Sequence, residues 1–293
     1  MSNTNHIEIT VPESTENLHF VNESKAAAKT HEWLYHCTSV KSLISIINSR
    51  EMWLSNLKDV NDREEANRID MPEFEKAYYI ASFTYDPNIP REHWAEYGKS
   101  EESVLFGVKQ TWFTNKVHFL DENHKKELRA EFQIVNRFEK TFEYRVTNHV
   151  YPYLVFNHGF YQVQYSNDLV KKMKSAASMD ANNIFSCGSI VITALPGIIK
   201  SEHGRCTREG MEPYDKNWKS EKEVRLKFGV ATREESLINS GDYLHQMAVE
   251  LSDTAFSELP LRFSPDMSEK QKKQSMEQIR GTLSKKEAHI YEI

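Results

Sequence analysis

From Glu223 to Val230 the chain alternates without interruption. Val224, Leu226, Phe228 and Val230 take one parity, and Glu223, Arg225 and Lys227 take the other. A period of two is the mark of a strand with unlike faces, because successive side chains on a strand point to opposite sides. This stretch therefore demands a sheet with an apolar side, and it sets Glu223 beside Arg225 on the other. A carboxylate on a core strand, held next to a cation, suits a site that must stabilise developing positive charge. The same pattern also suits a solvated face carrying an ordinary exposed ion pair. The strand alone leaves both readings open.

The rest of the chain supplies more strands than helices. Trp33–Cys37, Met52–Ser55, Ala77–Thr84, Val104–Val108, Gly159–Tyr165, Leu259–Phe263 and Ala288–Ile293 all read as strands. Thr38-Ser39 offers an N-cap for a helix carrying Leu43, Ile44, Ile46 and Ile47, and a short helix around Trp94 closes at Gly98. Asn61-Asp62 opens a turn or a helix. Residues 182–200 and 234–257 are expected to be helical, 203–217 a loop, and Asp266 or Ser268 caps a helix to about Ile279. The longest expected helix runs over residues 121–148. Leu128, Phe132, Val135, Phe138, Phe142 and Val146 recur there at spacings of three and four. That stripe is core or a surface for a protein partner. Strict βα alternation is absent, so the pattern reads as an α+β fold. A flexible polar arm over residues 1–30, helical near its end, precedes a single domain over 31–293.

Composition narrows the setting. The 293 residues suffice for a sizeable core, with 39% hydrophobic and 27% charged residues. A net charge of −6 gives no bulk attraction to nucleic acid, though it allows a local basic patch. No apolar run approaches the roughly 20 residues of a membrane span. The polar start, Met1 to Val11, has no signal-peptide core. Cys37, Cys187 and Cys206 are odd in number and widely spaced, which fits a reducing cytoplasm. His31, His36 and Cys37 lack a standard ligand spacing, so no metal site is expected.

Five ordered stretches carry a resemblance. Tyr35-His36-Cys37-Thr38-Ser39, Met52-Trp53-Leu54-Ser55, Asn61-Asp62-Arg63-Glu64, Ser82-Phe83-Thr84 with Trp94-Ala95-Glu96-Tyr97, and Glu221-Lys222-Glu223-Val224-Arg225 occur in that order. The set resembles a bacterial domain family of unassigned function, over about residues 33–293. Cys37 stands where that pattern has an aromatic, and Arg63 where it has proline. The family in turn looks distantly like ADP-ribosyltransferases, which split NAD between two small sheets. That likeness implies an ADP-ribosyltransferase-like split sheet, into which the long helix is inserted, and NAD as the substrate. The acceptor would be a protein or a nucleic acid, in a bacterial toxin or anti-phage defence role. It implies Glu223 as the carboxylate that stabilises the ribosyl cation, with Glu221 preparing the acceptor. His36, Ser55 and Ser82 would bind NAD, Trp53 or Phe83 (or Tyr85) would stack on nicotinamide, and Arg225 would hold Glu223 or meet a phosphate. Two other classes remain open: a metal-dependent nuclease using Asp59 or Asp62 with Glu221 and Glu223, and a non-catalytic sensor that binds a partner through the 121–148 helix.

Overall fold

A computed structural model describes residues 15–60, 78–98, 102–121, 126–131, 135–136, 143–144, 153–168, 197–206, 214–232, 246–283 and 288–293. Four helices are described: α1 (Thr15–Lys29), α2 (Val40–Ser49), α3 (Arg91–Tyr97) and α4 (Glu269–Leu283). The strands are β1 (Leu34–Ser39), β2 (Glu51–Asn56), β3 (Tyr78–Thr84), β4 (Ser103–Val108), β5 (Phe113–Asp121), β6 (Lys126–Glu131), β7 (Val135–Asn136), β8 (Glu143–Tyr144) and β9 (Tyr153–Gln162). They continue as β10 (Gln164–Tyr165), β11 (Ile199–Lys200), β12 (His203–Cys206), β13 (Tyr214–Asn217), β14 (Glu223–Thr232), β15 (Gln246–Leu251), β16 (Glu258–Phe263) and β17 (His289–Glu292). Eleven of them form one mixed sheet, so the fold is α+β and rich in strand.

The sheet is organised about β3. One edge of β3 is taken by β14, from Glu223 opposite Thr84 to Gly229 opposite Tyr78. Its other edge forks. β1 holds the far end through Tyr35 opposite Thr84, and β2 holds the near end through Ser55 opposite Ile80 and Asn56 opposite Tyr79. One wing continues from β1 through β4 and β16 to β17, and the other from β2 through β15 and β5 to β6. In the fork, His36 Nδ1–H donates to the carbonyl of Ser82 at 2.9 Å. A side chain thus satisfies an acceptor that strand pairing leaves open there.

Register fixes the two faces, since residues opposite one another on paired strands share a face. Val224, Leu226 and Phe228 lie with Phe83, Ala81, Tyr79, Leu34, Phe106, Met52 and Leu54 in the main apolar core. Leu43, Ile46 and Ile47 of α2 and Ile279 and Leu283 of α4 close that core. Ser39 caps α2 by accepting from Ser42 N, and Ser268 caps α4 in a reciprocal pair with Gln271. Within the expected arm, Thr15–Lys29 is a helix that packs along β9, with Val21, Ser24 and Ala28 buried and Ser24 Oγ donating to Gln162 O at 2.8 Å.

Four expectations are corrected. The continuous 121–148 helix does not form, because residues 126–131 are β6, paired antiparallel with β5 from Asp121–Lys126 to Lys116–Glu131. Lys126–Glu131 itself alternates, with Leu128 and Ala130 between Glu127, Arg129 and Glu131. Two-residue periodicity over six positions, with a partner strand available, outweighs the longer helical stripe. The partner surface proposed on that helix loses its basis with it. The helix expected over 234–257 gives way at Gln246–Leu251 to β15, which lies between β2 and β5. Within 203–217, β12 and β13 pair antiparallel from His203–Asn217 to Cys206–Tyr214. Of the helix expected over 182–200, Ile199–Lys200 is β11, and positions 182–196 lie outside the described residues, as do Asn61 and Asp62. Among the described residues no helix is long and apolar enough to cross a membrane.

Candidate active site

The second face of β14 carries the charges, and other elements cover it. Glu223 begins the strand. Just before it, Trp218–Glu221 forms a 3-10 turn, opened by the Asn217 side chain accepting from Lys219 N and closed by Lys222 in the left-handed region at φ 48°. The strand therefore does not reach back to Glu221, and strand parity is not what brings the two carboxylates together. Lys200 on β11 does so: its Nζ lies 3.1 Å from Glu221 Oε2 and 3.5 Å from Glu223 Oε2. Arg225 grips Glu223 with both arms of its fork, Nε to Oε1 at 2.6 Å and Nη2 to Oε2 at 3.0 Å. Arg225 Nη1 also donates to the carbonyl of Gly197 at 3.1 Å. Gly197 adopts φ +77°, which costs a glycine little, and so turns its carbonyl inward.

Glu221 is the hub. Lys216 Nζ lies 2.7 Å from its Oε1, and the Tyr97 hydroxyl donates to the same oxygen. Lys216 also contacts Glu96 and Tyr97, and it sits over the Trp218 ring at 4.7 Å, where Lys200 approaches to 3.9 Å. Glu96, Glu221, Glu223, Lys200 and Arg225 are all at most 6% exposed. Burial alone would raise the Glu221 pKa, but Lys200 and Lys216 overcome it and bring it down to about 2. The Tyr97 and Tyr165 phenols are pushed well above their usual value, first by burial and then by the nearby carboxylates. Tyr165 OH accepts from Glu223 N at 3.3 Å. Desolvating this many charges costs as much as their attraction returns. A buried network of this kind is therefore weak evidence for stability and reasonable evidence for a site.

The expected site residues divide between the two faces. By register, Ser82 and Arg225 share a face with Glu223, as do Ser55 and Trp53 of β2. Trp53 is 39% exposed, Ser55 is exposed and Ser82 half-buried, so this face opens toward β2. His36 and Phe83 are on the other face. Tyr35, not His36, shares a face with Thr84 and Glu223, which puts His36 one step out of phase. The His36 ring packs against Phe83 and Phe106 at 5.6 and 5.7 Å, and burial lowers its pKa. Phe83 is 3% exposed, among Phe113 and Phe160. A common pocket for His36, Trp53 and Glu223 is thus not formed. Tyr85 stacks on His31 at 4.3 Å.

A second charged group lies on the β2 wing. His118 Nδ1 is 3.2 Å from both oxygens of Glu51, and Arg129 Nη1 is 2.8 Å from Oε1. With Lys116, Glu131 and Glu250 they line a hollow of about 140 Å³, and the Trp53 ring lies 5.4 Å from His118. That is small beside the ~300–1,000 Å³ of typical ligand pockets. Among the described residues the nuclease reading finds no support: Asp59 is exposed after β2, and Glu221 and Glu223 hold lysines and an arginine, while Asp62 lies outside those residues.

Sequence reasoning missed Lys200, Lys216, His93 and Glu96 as site residues. A warning was present, since two carboxylates on a core strand require cations beyond Arg225. No family model matches the chain, and neither a curated protein nor a solved structure matches it. The resemblance therefore rests on the ordered motifs alone.

Proposed function

We propose that the protein cleaves the nicotinamide–ribose bond of NAD and passes the ADP-ribosyl group to a macromolecular acceptor or to water, with Glu223 as the carboxylate facing the ribose. The observation that carries this reading is the Lys200 bridge between Glu221 and Glu223, on the face that stays open at Trp53 and Ser55. Cleavage sends the C1′–N electron pair to nicotinamide and leaves positive charge on the ribose. A preorganised carboxylate binds that charge more tightly in the transition state than in the ground state. Arg225 fixes the Glu223 rotamer, Ser82 and Ser55 offer hydroxyls to the ribose, and Trp53 offers a ring face to nicotinamide. His36 and Phe83 take no part, since they serve the fork and the apolar core.

Glu223→Gln tests this reading. The swap keeps the shape and removes the charge, so nicotinamide release should fall about 10²–10³-fold in kcat with KM little changed. Thermal melts control for folding. An active wild type matched by Glu223→Gln would dismiss Glu223, and a wild type that releases no nicotinamide with any acceptor would dismiss the reaction.

A further inference from the structure

The resemblance casts Glu221 as the group that prepares the acceptor, but its surroundings make it a poor base. Lys200, Lys216 and Tyr97 occupy its oxygens, and a carboxylate of pKa about 2 scarcely takes a proton at neutral pH. General-base catalysis works best with a pKa near the working pH. His93 on α3 stands next to it. The residue is 5% exposed, its Nε2 lies 3.8 Å from Glu221 Oε1, and Nε2 has no hydrogen-bond partner among the described residues. A buried ring nitrogen aimed at a carboxylate, yet beyond hydrogen-bond reach of it, calls for an explanation.

We propose that His93 is the base that takes the acceptor's proton, with Glu221 holding the imidazolium that results. This rests on the NAD-cleaving reading above. As the C1′–N bond breaks, its electron pair leaves with nicotinamide, and the acceptor oxygen forms the new C1′–O bond. The acceptor's proton passes to Nε2 of the neutral ring and later to solvent, so the reaction releases one proton in all. Tyr97 meets the His93 ring edge-on at 5.5 Å and fixes its plane. The charged groups facing the ring are Glu221, Lys216, Glu96 and Glu223. Burial lowers the His93 pKa and Lys216 lowers it further, while the three carboxylates pull it back. The ring is thus neutral at pH 7, the form a base requires.

The experiment follows nicotinamide release from NAD across pH for the wild type, His93→Gln and His93→Gly, with melts for folding. We expect His93→Gln to lower turnover about 10²-fold or more. The acidic limb of the wild-type profile, below the His93 pKa, should vanish in that variant. Added imidazole should restore part of the His93→Gly rate, which a purely structural role would not allow. A folded His93→Gln with the wild-type rate and acidic limb overturns the role of His93 alone. A wild type that releases no nicotinamide overturns the NAD reading, and this inference with it.

Discussion

β14 shows two ways of being buried. On one face Val224, Leu226 and Phe228 are fully buried in the apolar core, and on the other Glu223, Arg225 and Lys227 are buried almost as deeply. The apolar face needs only matching volume, because removing its surface from water is favourable wherever it goes. The charged face works only as a set. Glu223 requires Arg225 and Lys200, Glu221 requires Lys200 and Lys216, and each pair counts on the next. A face that gains little net stability from such an arrangement is the better place to look for chemistry.

The sharpest way to break this comparison is to remove one member from each face. Arg225→Met leaves a buried carboxylate without its bidentate partner and should cost about 3–5 kcal/mol. Leu226→Ala should cost about 2–5 kcal/mol through lost packing. Urea melts of Arg225→Met combined with Glu223→Gln should recover a large part of the first loss. Strict additivity of those two changes would show that the pair is not coupled.

Acid should distinguish the faces next. His93 and the buried His36 both have folded pKa values below the ordinary 6.5, so their contributions are present above pH 6.5 and are lost as pH falls from there through their folded values. Glu221 titrates near 2 when folded against an ordinary 4.5, so its contribution is present above pH 4.5 and fades from there down toward pH 2. Denaturant melts from pH 8 to 3 should therefore show a two-stage loss amounting to a few kcal/mol. Glu221→Gln should flatten the lower stage, whereas Leu226→Ala should lower the whole curve without changing its shape. A pH-independent wild type would contradict the charged network.

The smallest expected effect concerns His36. His36→Phe leaves the Ser82 carbonyl without its donor and should cost about 1–3 kcal/mol. Nicotinamide release per folded molecule should stay within about twofold. A hundredfold drop in that rate would return His36 to the site and undo the assignment of faces.

Much of the sheet was legible because it is written locally. β1, β2, β3, β4, β14, β16 and β17 each carry their own alternation or apolar run, and α2 and α4 carry their caps. β15 was not legible, since its strand state depends on β2 and β5, both far from it in sequence, and β6 was masked by the helical spacing of Leu128, Phe132 and Val135 that overlaps its own alternation. The site divides in the same way. Glu221, Glu223 and Arg225 sit within five residues of one another and could be read together. Lys200, Lys216 and Glu96 join them from a two-residue strand, a hairpin and a short helix. His36 was misplaced for a narrower reason. Its face depends on the register of β1 against β3, one pairing at the fork, and a shift of a single residue reverses every side chain.

That fork also has a mechanical meaning. Tyr35–Thr84, Ser55–Ile80 and Asn56–Tyr79 are the pairings through which the two wings meet β3. β3 is thus an axle with two vanes set on one side and the firm rail of β14 on the other. A turning force on either vane meets few backbone bonds at the axle, and the His36 imidazole is a pin driven through the gap. Amide exchange should then be slow along the rail and fastest at the two short seams. A load applied to one wing would twist the molecule there before it disturbed the ion network behind β14.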